Sequence, residues 1–191
     1  MTTPPVLRAD AARNRSSLLA VATRVFATSG EPPSMRAIAR EAGVGIGTLY
    51  RHFPTREALL DAVYQDQADR LTQGARELLA AHPPAEATRR WMDLFGDWLA
   101  TKHGMVGALS PSPAAPTELH ARSRARMLAA VVDLLEAGHA AGDIRPDVTA
   151  EDLVAHLVGI FTVAGDHAHR AQAARLLDVL MDGLRPQATH G

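Results

Sequence analysis

Apolar residues recur at helical spacing along almost the whole chain and nowhere alternate one by one between turn residues, the pattern of stacked helices and not of a sheet. Leu18, Ala22, Val25 and Phe26 make one such stripe, and Leu153, Leu157, Ile160, Phe161 and Ala164 make another near the far end. Alanine fills 36 of 191 positions and only eight residues are aromatic, so intrinsic propensity points the same way. The fold class expected is all-α, with about nine helices.

Helix breakers divide the chain. Thr28-Ser-Gly-Glu-Pro-Pro33 ends a first helix that starts near Ala9, and Ser34 caps a short second helix reaching Ala42. Gly43 is a turn, a third short helix covers about Gly45 to His52, and Pro54 stops it. Thr55 then caps a long fourth helix from Arg56 to about Ala81, and His82-Pro-Pro84 separates it from a fifth that runs to about His103. Gly104 to Pro116, with three prolines, reads as a short helix and a loop. Helices at about Thr117–Ala141, Thr149–Gly165 and His169–Leu184 complete the chain, Gly142 closing the first and Thr149 capping the second.

The chain has no cysteine, which excludes a disulfide framework and any Cys-ligated metal centre. The first ten residues lack the basic start and apolar run of an export signal, and the least polar stretch, Leu153 to Gly165, carries His156. A cytoplasmic protein without membrane contact is expected. The formal charge of −1, taken alone, argues against binding a polyanion. Residues 1–60, however, hold eight arginines against four acids, a balance of +4, and residues 61–191 hold −5. A basic head on an acidic body implies that one part meets a polyanion and the other does not. The expected division is therefore a head at 1–60 and a body at 61–191.

Within the head, two short helices flank Gly43 in the layout of a helix-turn-helix, whose second helix enters the major groove of DNA. Ile38 and small Ala39 face inward from the first helix, Gly43 takes the positive φ of the turn, Val44 and Leu49 bury beneath the pair, and Phe53 closes the unit. Gly45, Ile46, Gly47, Thr48, Tyr50, Arg51 and His52 are left outside. Ile46 suits a thymine methyl, two glycines let the backbone approach base edges, and Thr48, Tyr50 and His52 have hydrogen-bonding groups of the kind used on phosphates. Arg56 at the start of the fourth helix adds a cation there.

The run from Ser34 to Phe53, with its Gly47-Thr-Leu-Tyr-Arg-His-Phe53 core, followed by Pro-Thr-Arg-Glu-Ala-Leu-Leu60, resembles the DNA-binding head of TetR-type transcriptional regulators. The resemblance is strong over about residues 9–60. Beyond it, Ala140-Ala-Gly-Asp-Ile-Arg-Pro-Asp147 and Leu180-Met-Asp-Gly-Leu-Arg185 look like body segments of such proteins. It implies a dimeric regulator, usually a repressor of a palindromic operator released by a small ligand, with backbone contacts from Ser34, Tyr50, His52 and Arg56 and base-edge contacts from Arg36, Ile46, Gly47 and Thr48. Gly45 departs from the serine common at the head of the recognition helix, and Arg56 from the frequent lysine.

In the body, Leu153, Leu157, Ile160 and Phe161, then Ala173, Leu176, Leu177, Leu180 and Leu184, form apolar stripes that Val154, Val158 and Val179 widen. The resemblance makes them a four-helix dimer interface. Trp91, Met92, Phe95, Trp98, Met105 and Met127 gather the adaptable large side chains, either as a pocket for a mostly apolar effector or as ordinary core. Two other functions compete: a constitutive or protein-gated DNA-binding regulator, and a helical-bundle enzyme. For the enzyme, Glu136-Ala-Gly-His139 is a single copy of a carboxylate-x-x-His spacing that a di-iron bundle needs twice, and no catalytic motif or cofactor site accompanies it.

Overall fold

A computed structural model describes residues 5–28, 33–106, 118–164 and 169–186. Among them are eight α-helices and no strand: α1 Pro5–Thr28, α2 Met35–Glu41, α3 Ile46–His52, α4 Arg56–Ala81, α5 Pro84–Val106, α6 Glu118–Ala141, α7 Ala150–Ala164 and α8 Arg170–Leu184. The first helix begins four residues before the expected Ala9. Residues 104–106, expected in a separate short helix, are the last of α5, and the rest of that expectation lies outside the described residues.

The ends form for local reasons. The Ser34 hydroxyl accepts the Ala37 amide at 3.2 Å and the Thr55 hydroxyl accepts the Ala58 amide at 3.1 Å, so α2 and α4 start on capped turns. At α7 the cap is reciprocal: Asp152 N–H donates to the Thr149 hydroxyl at 3.2 Å, while the Thr149 amide and hydroxyl donate to the Asp152 carboxylate at 3.0 and 2.7 Å. Pro84 opens α5 at the first helical position, where a missing N–H costs nothing. Gly43 and Gly142 take φ of 67° and 74°, the left-handed conformation that ends α2 and α6.

The chain forms two compact units. In the first, α1, α2, α3 and α4 as far as Asp66 cluster with the end of α5 from Thr101. Leu18, Ala22, Phe26, Ile38, Ala39, Leu49, Phe53 and Leu59 are buried in it, whereas Val44 is only half-buried. The remainder of α4 and α5, with α6, α7 and α8, makes the second. Its core holds Trp91, Met92, Phe95, Met127, Leu134, Leu153, Leu157 and Leu177. Trp91 buries its ring while donating its indole N–H to the Leu71 carbonyl at 2.9 Å, which removes the cost of an unpaired buried donor. An ion-pair line joins α8 to α5, with Arg89 donating to Asp93 at 2.9 Å and to Asp178 at 3.0 Å.

Candidate nucleic-acid interface

The recognition surface rests on a buried base. Leu49, the fully buried residue of α3, lies in the same apolar centre as Ile38 and Ala39 of α2. Burying a leucine contributes about 1.5–3 kcal/mol, so this one side chain fixes which face of a seven-residue helix points outward. The outward face carries Gly45, Ile46, Gly47, Tyr50 and Arg51, all exposed, with Thr48 and His52 half-buried. Ile46 is 36% exposed and Tyr50 46%, a large amount for apolar and aromatic side chains of a small unit. His52 packs partly on Phe53, with ring centroids 6.4 Å apart.

Two glycines on this face are required neither by close packing nor by a positive φ. A Cβ built on Gly45 or on Gly47 would meet nothing within 4 Å, and neither residue has a positive φ. Gly45 precedes α3 as its N-cap and supplies no side-chain cap bond. Glycine within a helix costs roughly 0.5–1 kcal/mol relative to alanine, a cost that packing does not recover at Gly47.

Of the head arginines whose side chains are described, Arg36, Arg40 and Arg51 are exposed. Arg24 instead pairs with Glu41 at 3.0 Å, linking α1 to the end of α2, and the Arg15 guanidinium lies over the Phe53 ring at 5.2 Å from its centroid. Arg56 donates from Nη1 to the Pro33 carbonyl at 2.7 Å, so its expected role as a phosphate contact meets a competing intramolecular one. Ser34 likewise spends its acceptor on the α2 cap.

Two residues absent from the sequence reading enter the same surface. A groove of about 200 Å³ runs beside α3, lined by Asn14 and Ser17 of α1 and by Thr48, over a floor of Leu18, Val21 and Val44. Asn14 and Ser17 sit on one face of α1 at i, i+3 spacing, more than thirty positions from Thr48. That polar pair flanking buried Leu18 is the signal that could have found them.

In the second unit, Trp91, Met92, Phe95, Trp98 and Met127 come together as buried core. Ring centroids lie 5.7 Å apart for Trp91 and Phe95, 5.2 Å for Phe95 and Trp98, and 6.4 Å for Phe95 and Phe161. A Cβ on Gly96 would stand 2.4 Å from Phe161, so the group is closely packed. Met105 is buried as well and falls in the first unit. Of the residues expected at a dimer interface, Leu153, Leu157, Ala173, Leu177 and Leu184 are buried within the single chain. Ile160, Phe161, Leu176 and Leu180 are half-buried. The exposed large apolar side chains of α7 and α8 are Val158, Val163 and Val179, the last two about 70% and 68% exposed. Beside them Gly159 and Gly183 are again exposed glycines whose added Cβ would meet nothing within 4 Å. Thr162 returns its hydroxyl to the Val158 carbonyl at 2.7 Å, so that polar group can enter an apolar contact already satisfied.

Among the described residues no group of His, Asp or Glu is placed to hold a metal ion, and no helix is long and apolar enough to cross a membrane.

Comparison with known proteins agrees with this geometry in both units. Residues 18–63 match the family model described as bacterial regulatory proteins, tetR family, and residues 83–186 match that of the C-terminal domain of SbtR-like transcriptional regulators. A TetR transcriptional regulator from Streptomyces coelicolor is 46% identical, with a TM-score of 0.83 over 91% of this chain and 99% of that one. A TetR transcription regulatory protein from Mycobacterium vanbaalenii is 40% identical, with a TM-score of 0.76 over 94% of this chain and 99% of its own. An HTH-type transcriptional regulator of Staphylococcus aureus is 42% identical over 64 residues, 33% of this chain, so the match spans about a third (35%) of that curated relative's length.

Proposed function

Because the chain belongs to the TetR family of bacterial transcriptional regulators, we propose that it binds a palindromic DNA operator as a homodimer and represses transcription from it. As a member of that family it is a regulator and not an enzyme. The observation that carries the proposal is the outward face of α3: exposed Ile46 beside Gly45 and Gly47, two glycines that the fold itself does not use. A backbone without side chains can approach base edges, Ile46 suits a thymine methyl, and Arg36 and Thr48 supply hydrogen bonds to bases. Tyr50, Arg51 and His52, joined by Ser34, Asn14 and Ser17, face the phosphates, the class of contact that fixes register without reading sequence.

The second copy docks on the exposed stripe of Val158, Gly159, Thr162 and Val163 with Val179 and Gly183. Helix-interior glycine there allows close approach of the partner's helices. Two-fold symmetry then presents two α3 helices about one DNA turn apart or somewhat more, which is why the operator is an inverted repeat. The acidic remainder of the chain keeps contact with phosphate confined to the heads, and the site of action is the cytoplasm.

Release by a small, mostly apolar ligand completes the proposal. The ligand would act by binding better to a form in which the Trp91, Phe95 and Phe161 packing has opened, shifting the population away from the DNA-binding form. Selection from a random DNA pool tests the core of the proposal. Recovered inverted repeats support it, and recovery of unrelated sequences refutes it. For the ligand, saturable thermal stabilisation by an apolar compound together with release from the selected DNA is expected; no compound producing both would favour a constitutive regulator.

A further inference from the structure

The helix that carries Ser34 and Arg36 is tied at both ends by arginines. At its end, Arg24 of α1 pairs with Glu41 at 3.0 Å. At its start, the guanidinium of Arg56 reaches back 23 positions to the Pro33 carbonyl at 2.7 Å, in a part-buried bond. Pro33 is buried and immediately precedes the cap. Its carbonyl lies outside the α2 ladder, which begins with the Ser34 carbonyl accepting the Ile38 amide at 3.1 Å. A buried carbonyl left unpaired costs about 1–3 kcal/mol, so Arg56 supplies a partner that the helix does not. Arg56 is the first residue of α4, directly after its Thr55 cap, whose hydroxyl accepts the Ala58 amide. The sequence of supports is therefore α4 cap, Arg56, Pro33 and the α2 cap at Ser34, and α2 is the helix against which α3 is set.

We propose that Arg56 is a positioning residue, which transmits the placement of the start of α4 to α2 and so to the recognition helix, and that it is not a phosphate contact. The proposal rests on the DNA-binding reading above. A phosphate contact and a positioning residue differ in what their loss does. Removing a phosphate contact weakens all DNA alike, whereas loosening the platform of α3 removes discrimination and leaves the sequence-independent term in place.

The test uses the full-length chain, its Arg56→Ala and Arg56→Lys variants, a DNA duplex recovered by pool selection and a shuffled duplex of the same composition. In Arg56→Ala the ratio of selected to shuffled affinity should fall by about tenfold or more, the scale of one hydrogen bond to a charged group, with shuffled-duplex affinity unchanged. In the free protein, hydrogen exchange at the Ala37 and Ile38 amides, which close the α2 cap, should accelerate by a similar factor. Parallel loss on both duplexes overturns the assignment whatever the exchange does, and wild-type exchange at both amides overturns it whatever the discrimination does. Should Arg56→Ala not fold, Arg56→Lys decides, since it keeps the charge and loses the planar fork. Faster cap exchange then supports the proposal and wild-type exchange with wild-type discrimination overturns it. Exchange is read without DNA, so a chain that bound neither duplex would defeat the DNA-binding reading and still leave this assignment decided.

Discussion

Gly47→Ala should raise stability and lower DNA affinity, two changes of opposite sign from one methyl group. The added Cβ meets nothing within 4 Å and the residue is helical without a positive φ, so the folded state accepts it without strain. The unfolded chain loses backbone freedom, which stabilises by about 0.4–1 kcal/mol. For a chain of this size that is a rise in Tm of about 1–4 °C. At the DNA the same methyl occupies the space through which the α3 backbone nears the base edges. Losing one good base contact costs about 1–3 kcal/mol, or roughly fivefold to 150-fold in affinity. The assays are thermal unfolding by circular dichroism and fluorescence anisotropy with the selected duplex at one fixed salt concentration, because affinity depends steeply on salt. Gly43→Ala is the matched control. Its φ of 67° makes alanine strained by about 1–2 kcal/mol, so stability and affinity should fall together. A Gly47→Ala protein with raised Tm and unchanged affinity would refute the reasoning that the glycine serves DNA, and one with lowered Tm would refute the reading of open space.

Other changes probe the second unit. Gly96→Ala places its Cβ 2.4 Å from the Phe161 ring and should destabilise by about 1–3 kcal/mol, seen as a lower denaturant midpoint; an unchanged midpoint would mean that the ring moves freely. Val179→Glu should yield folded monomers in sedimentation, because Val179 is 68% exposed in the single chain and its loss leaves the core intact; a persistent dimer would place the interface elsewhere. The Thr149 hydroxyl and amide, hydrogen-bonded to the Asp152 carboxylate, hold its pKa below the ordinary 3.8. A depressed carboxylate contributes stability above its unfolded pKa that is lost as pH falls through the folded value. The stability gap between wild type and Asp152→Asn should therefore close below about pH 3.8, and a gap that widens there would contradict the cap's role.

Much of this fold is written in its punctuation. Ser34, Thr55 and Thr149 cap helices where their hydroxyls precede apolar runs, and Gly43 and Gly142 end helices because few other residues accept a positive φ. Periodicity shows that a helix face is covered, yet it does not say by what. Leu153, Leu157, Ala173, Leu177 and Leu184 therefore read as a partner surface although they are buried within the single chain, while the exposed valines beside them look like mere widening of the stripe. By the same logic Leu157→Glu should unfold the protein and not simply separate a dimer. Arg56 could be placed at a helix start from sequence, but its bond to Pro33 spans 23 positions and no local pattern encodes it. Asn14 and Ser17 join Thr48 only after α1 folds across the turn.

The claim on which everything else depends is that the open face of α3 is where DNA binds. Titrating the selected duplex into isotopically labelled protein and following backbone amide signals by NMR tests it directly. The account predicts that Gly45, Ile46, Gly47 and Thr48 shift most, with smaller changes at Asn14, Ser17 and Tyr50. Saturable binding that leaves those four signals in place and moves others would contradict it.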